Sequence, residues 1–354
     1  MTAANAYMAL GIDNAWDEAS FKERLGIRVT GPVAGAKGAP PDAADTLHFD
    51  LVGADAALAN ALRRVMLSDA PSVAIESVFI VNNTSIMPCE ILAHRLGLVP
   101  LALDPALLVP RSSATGIPPG EGAPPGAPPP GQPSPASEAN TVVFRLHVKC
   151  ERQADGSVTG DRVTSGDLRW APGGSAMPGE TGCVFEGSQA ARFGPAGAAP
   201  VQADILLVKL RPGQEVELEA HAVVGAGSVH AKWSPVSTAW YRLHPEVFLR
   251  PGAITGPSAD ALAAELPGLV KVVGSGPARA AALAAPARGN EALLEKARRL
   301  SGEAPYAGGA LEVARAKDHF IFAVESAGCL PPEAIVSRSL DILERKCDRL
   351  LERL

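Results

Sequence analysis

Residues 82–105 read NNTSIMPCEILAHRLGLVPLALDP. Four chemistries crowd into this stretch: a sugar-acceptor pattern at Asn82, Asn83, Thr84 and Ser85, a thiol at Cys89, a carboxylate at Glu90, and the adjacent His94 and Arg95. As backbone it reads as a junction. The strand-like SVFIV ends, the polar residues turn the chain, EILAHRL makes a short helix, and Pro100 and Pro105 keep GLVPLALDP extended. That reading accounts for each residue without a reaction.

The competing reading is catalytic, because a thiol activated by a nearby histidine is a known nucleophile design. On a helix, however, Cys89 and His94 are five positions apart and face different sides, and no Gly-rich turn follows to supply an oxyanion hole. A cysteine-dependent hydrolase using Cys89 and His94 therefore stays as an alternative of another class. Cys89, Cys150, Cys183, Cys329 and Cys347 are scattered, odd in number and without a CxxC, which supports neither a disulfide framework nor a zinc site. Nothing in the sequence reads as a secretory start or as the roughly 18 apolar residues of a membrane span. A reducing compartment is expected, and the glycan pattern is then a coincidence.

The chain has 354 residues, 47% of them hydrophobic, enough for one large or two ordinary domains. A net charge of −6 argues against wrapping nucleic acid through a basic face, so any contact with DNA is expected to be indirect. VVGAGSVH and VVGSGPAR fail the dinucleotide fingerprint, since His230 and Arg279 occupy the third glycine position and Pro277 sits where a phosphate-binding helix should begin. They read as turns. His221, His230, His244 and His319 lack ligand spacing.

Outward from the junction the periods are clear. TLHFDLVGAD (46–55) alternates as a half-buried strand, and AALANALRRVMLSDA follows with Leu58, Leu62, Val65 and Met66 at helical spacing. SVAIESVFIV, TVVFRLHVKC and ILLVKLRPGQEVELEAHAVVG supply further strands. DHFIFAVESAG is another, after which Pro331 and Pro332 fix the start of a helix. Along that helix Val336, Leu340, Leu343, Cys347, Leu350 and Leu354 recur in steps of four and three, a near-heptad stripe. At ~1.5 Å per residue the helix is about 33 Å long, more than a small domain needs to cover its own core. Some of the stripe is expected to meet another chain. Residues 107–140, rich in Pro, Gly and Ser, read as a disordered loop; 252–309 read as a loose insertion in which GNEALLEKARRLS makes a short helix. The residues alone thus describe a soluble, two-domain protein of strands and helices that dimerises.

The stretch 82–105 resembles the signature of the alpha-like subunits of cellular RNA polymerases, and it follows ANALRRVMLSDAPSVAIESV, which is similar to that family's first dimerisation helix and next strand. LRPGQEVELEAHAVVGAGSVHAKWSPVSTAWYRL and DHFIFAVESAGCLPPEAI resemble the family in the same order. With GIDNAWDEASFKERL near the start, the segments most resemble the larger alpha-like subunit shared by eukaryotic RNA polymerases I and III. The resemblance implies an α+β fold in which a discontinuous dimerisation domain, strands plus two long helices, is interrupted by a β-rich insert domain. The chain then begins with an N-terminal extension and first strand (1–45) and the first dimerisation segment (46–87). The insert (88–233, containing the loop 107–140) and the second dimerisation segment (234–354, containing 252–309) follow.

The resemblance further implies a non-catalytic scaffold, obligately paired with a smaller alpha-like subunit and nucleating assembly of the large catalytic subunits of polymerases I and III in the nucleus and nucleolus. Leu58, Leu62, Val336, Leu340, Leu343, Cys347 and Leu350 would make the heterodimer interface. Asn60, Arg63 and Arg64 would face a large subunit, against a bland reading as a solvated helix face. Asn83, Glu90, His94, Arg95 and Gly97 carry the signature at the domain junction. Some relatives hold zinc or an iron–sulfur cluster on cysteines soon after GLVPL, but no cysteine lies between Cys89 and Cys150. No metal, cofactor, membrane or small-molecule substrate is expected. The alternative within the family is the corresponding subunit of polymerase II or of an archaeal-type enzyme.

Overall fold

A computed structural model describes residues 17–31, 45–111, 134–194, 197–276, 279–284 and 291–354. In chain order the main elements begin with helix α1 (Glu18–Arg24), strands β1 (Gly26–Val29) and β2 (Thr46–Val52), helix α2 (Ala56–Ser68) and strand β3 (Pro71–Asn83). Helix α3 (Cys89–Gly97) follows, then strands β4 (Val142–Lys149), β5 (Arg169–Trp170), β6 (Glu215–Ala226) and β7 (Val236–Leu249). The chain continues through α4 (Pro257–Glu265), β8 (Val270–Val273), β9 (Ala280–Leu283) and α5 (Glu291–Leu300) to β10 (Leu311–Ser326) and α6 (Pro332–Leu351). The architecture is α+β. The described residues divide into two compact units, one drawn from 17–31, 48–60 and 240–323, the other from 45–47, 61–239 and 324–354.

The first unit is built on a four-stranded sheet of order β1-β2-β10-β7, with β1 antiparallel to β2 from Gly26↔Val52 to Val29↔Phe49. Aromatic residues hold its centre: Phe49 stacks on Phe322 at 4.8 Å, and Tyr241 meets Phe320 and Phe322 at 5.3 and 5.2 Å. The turn after β2 requires glycine. Gly53 has φ +77°, and a Cβ there would lie 2.4 Å from the carbonyl oxygen of Arg24.

The segment 252–309, expected to be loose, is folded in this unit over its described residues. Helices α4 and α5 and the β8–β9 hairpin, paired from Val270↔Leu283 to Val273↔Ala280, close over buried Ile254, Leu262, Leu266, Leu294, Leu300 and Tyr306. The reason lies in spacing. Ala, Gly and Pro dominate the composition, yet Ala259 and Leu262 in α4 and Leu294, Ala297 and Leu300 in α5 are buried at helical spacing, and a small apolar set suffices when alanines permit close approach. Lys296 and Glu265 add an ion pair at 2.6 Å between α5 and α4.

The second unit is built on a sheet of order β3-β6-β4-β5. Strand β6 is antiparallel to both long neighbours, with Leu218 opposite Ile80 and Leu146, and Ala222 opposite Ile75 and Val142. One face supplies the largest core, in which Ile75, Leu92, Leu96, Phe144, Leu146 and Leu218 are all buried; each such side chain contributes on the order of 1.5–3 kcal/mol. The other face is closed by Trp233, which packs on Ala74 and Val223 and donates from Nε1 to the Val223 carbonyl at 3.1 Å. Gly225 makes room for it, because a Cβ there would stand 2.4 Å from the indole.

The ends of the segment expected to be disordered are also fixed. Val109 N donates to the Ala139 carbonyl, Ser134 and Arg111 exchange hydrogen bonds, and Leu108 and Ala136 are buried. Residues 112–133 of that loop lie outside the described residues, as do 1–16 and 32–44 of the N-terminal segment.

Candidate functional site

Two places in the chain hold the residues singled out from the sequence: the helices α2 and α6, and the turn between β3 and α3. Pro331 sits at the N-cap of α6 and Pro332 at its first position, as proline's fixed φ and missing N–H favour. The helix buries Pro332, Ile335, Val336, Ser339 and Ile342, and Ile342 packs with Val65 and Ala70, with Leu343 alongside. Two ion pairs pin it within the second unit: Arg338 to Asp104 at 2.8 Å and Lys346 to Asp69 at 2.5 Å. Burial works against the Asp104 carboxylate, but the Arg338 guanidinium and the Ala106 N–H outweigh it and hold the carboxyl below its ordinary range.

Past Ile342 the helix stops burying apolar residues. Leu343 is half-buried and Cys347 exposed, as Leu340 is just before Ile342, while Leu350 and Leu351 are 62% and 68% exposed and Leu354 fully so. Covering each of these leucines would be worth roughly 1.5–3 kcal/mol, so this face is suited to a partner's apolar surface. Leu62 and Val336, two expected interface residues, are only 2% and 7% exposed within the chain itself. Their apolar surface is already covered by this chain's own packing, which shifts the available surface toward the C-terminal turns. Leu58 is half-buried, between the two cases.

On α2, Ala59, Leu62, Val65 and Met66 are buried, while Asn60 and Arg63 are half-buried and Arg64 is exposed. Arg64 is the side chain of the three most open to another molecule.

The junction turn is held by its own polar groups. Asn83 accepts through Oδ1 from Ser85 N and Oγ and donates through Nδ2 to the Met87 carbonyl at 3.0 Å. Thr84 is locked to the start of β6: its N–H reaches the Glu215 carbonyl, its hydroxyl takes the Glu215 N–H at 2.7 Å, and Gln214 holds its carbonyl. Helix α3 then docks through Leu92, Leu96 and Gly97; a Cβ at Gly97 would come within 3.4 Å of the Ile75 carbonyl. Arg95 donates to the Leu206 carbonyl. Glu90 and His94 are exposed, so they belong to the surface of the junction rather than to its internal bonding. Ile86 at the apex is 91% exposed, and no periodicity in the sequence marked it.

The arrangement carries no nucleophile–base pair. Cys89 is exposed and takes a hydrogen bond from Asn83 at 3.4 Å; among the described residues none joins it to His94, which lies roughly 140° around the helix. A cleft of about 230 Å³ in the second unit is lined by Ser72, Leu98, Pro100, Lys232, Val236 and Cys329. Burial pushes the Cys329 thiol up to about 11 and raises those of Cys150 and Cys183 as well. Thiols held protonated at neutral pH are weak nucleophiles.

No helix among the described residues is long and apolar enough to cross a membrane. The family model described as the RNA polymerase Rpb3/Rpb11 dimerisation domain matches residues 48–347. The chain is similar to "DNA-directed RNA polymerases I and III subunit RPAC1" of Mus musculus, at 36% identity over 97% of this chain and 88% of the relative. It is similar to the protein of that name from Saccharomyces cerevisiae at 35% over 96% and 90%. The "DNA-directed RNA polymerases II, IV and V subunit 3" of Arabidopsis thaliana is 31% identical over 86% of each.

Proposed function

The chain belongs to the RNA polymerase Rpb3/Rpb11 dimerisation family, and from that premise we propose that it is the larger alpha-like, non-catalytic assembly subunit shared by DNA-directed RNA polymerases I and III. The observation that carries this reading is the breadth of the likeness to the polymerase I and III subunits, 35–36% over nearly the whole chain in mouse and yeast, against 29–31% over about six-sevenths of it for polymerase II-type subunits.

The exposed half of α6 is the surface that receives the smaller alpha-like subunit, and Leu340, Leu343, Cys347 and Leu350 are its contacts. Asn60, Arg63 and Arg64 face a large catalytic subunit. Asn83 and Arg95 hold the junction from which the insert departs, Gly97 lies where α3 meets β3, and Glu90 and His94 present the junction's surface. The subunit works in the nucleus, including the nucleolus, in synthesis of ribosomal and transfer RNA. Nucleotide addition belongs to the large subunits.

Affinity purification of the tagged chain from its own cells tests the assignment. Recovery of a small alpha-like subunit with the large subunits of both polymerases I and III is the expected result. A single polymerase II set would move the chain to the sister subunit. A lone monomer with an activity lost in Cys89→Ser would replace the scaffold reading with a hydrolase.

A further inference from the structure

On the face of the sheet opposite the main core of the second unit, one row of side chains runs across three strands. Glu217 of β6 lies directly opposite His147 of β4 on one side and Asn82 of β3 on the other. Glu215, two residues earlier, points from the same face, so one imidazole nitrogen of His147 and one carboxylate oxygen each from Glu215 and Glu217 come within 4.8 Å of one another. His147 Nε2 and Glu215 Oε1 are already 2.6 Å apart.

The support beneath these groups is rigid. Leu146, Val216 and Leu218, the intervening residues of the two strands, are buried. Thr84 fixes the backbone of Glu215, and Asn82 donates to its second carboxylate oxygen at 3.4 Å. Charge is left over as well. Two carboxylates stand together, and the lysine opposite Glu215, Lys149, is paired instead with Glu151 at 3.1 Å. A divalent cation would balance two adjacent carboxylates.

We propose that His147, Glu215 and Glu217 form a binding site for a zinc-class divalent cation. One imidazole nitrogen with two carboxylate oxygens is a ligand set that zinc accepts, and hard cations such as magnesium and calcium prefer all-oxygen cages. Three protein ligands leave at least one coordination position open to water. The proposed site departs from the expectation of a metal-free chain, uses none of its cysteines, and stands independently of the subunit assignment.

The test uses the purified full chain, stripped with a chelator and titrated with zinc by calorimetry and with cobalt by visible absorption. One saturating equivalent is expected, with a cobalt spectrum lacking thiolate charge transfer. His147→Ala should weaken binding on the order of tenfold or more, since even partners one shell out from a metal cost that much when lost. Glu217→Gln should do the same. His147 is largely exposed and Glu217→Gln is nearly isosteric at a half-buried position, so both variants should melt like the metal-free parent, and zinc should raise the melting temperature of the parent alone. Absence of saturable binding, affinity in both variants equal to that of the parent, or a cobalt–thiolate band would overturn the site.

Discussion

The two halves of α6 share one helix and one apolar rhythm, and they meet opposite fates. In the N-terminal half Ile335, Val336, Ser339 and Ile342 are buried, and Arg338 is tied to Asp104. In the C-terminal half Cys347, Leu350 and Leu351 carry the apolar rhythm into solvent, and Leu354 follows just past the helix end. The difference lies in what stands opposite: Val65 and Ala70 receive Ile342, whereas Leu350, Leu351 and Leu354 stay open. A heptad stripe therefore marks where a helix is apolar without saying whose core it joins.

The largest effect is expected at the buried half. Ile335→Asp places an unpaired charge in a closed core, at a cost of about 3–5 kcal/mol, and denaturant melts of the isolated chain should show loss of folding. Leu350→Asp isolates the exposed half: the chain alone should keep its stability within about 0.5 kcal/mol, while its affinity for the smaller alpha-like subunit should fall on the order of a hundredfold, measured by titration of the pair. Leu343→Asp is less clean, because Leu343 packs on the buried cluster and would disturb both properties.

Acid offers a subtler probe of the unit that anchors the helix. Glu219 and His221 are buried together, 2.7 Å apart. Burial pushes His221 below its ordinary value. Burial opposes the Glu219 carboxylate too, but bonds from Ser175, His221 and the Ala176 N–H outweigh it and hold that pKa down. Both folded-state values lie below the unfolded ones, so their contribution is present at neutral pH and is lost as pH falls, first through the histidine range below about 6.5 and then through the carboxylate range. Melting temperature should decline between about pH 7.5 and pH 5, and His221→Gln should flatten that decline. The smallest effect belongs to Lys346→Met, which removes a partly exposed ion pair with Asp69 and should change stability by no more than ~1 kcal/mol.

Much of this was legible in the sequence where one local period governs. The strand and helix at 46–68, the strand entering the junction, α3 and the proline-started α6 follow from spacing alone. The family resemblance rested on the same residues. What escaped depended on partners far along the chain. Over its described residues, the fold of 252–309 rests on sparse leucines among alanines, which composition hides. The pinning of α6 by Asp69 and Asp104 involves residues hundreds of positions apart. The row formed by Asn82, Glu217 and His147 exists only through strand register, and the sequence drew attention to His221, His230, His244 and His319 but not to His147.

Hydrogen–deuterium exchange along α6, read in the free chain and in its complex with the smaller alpha-like subunit, would separate the helix's own core from the surface it offers to a partner. Amides of α6 as far as Ile342 should be protected in both states, whereas those from Cys347 onward should exchange fast in the free chain and become protected on pairing. A stoichiometric complex in which the amides from Cys347 onward stay as fast as in the free chain would contradict the assignment of that surface to the partner.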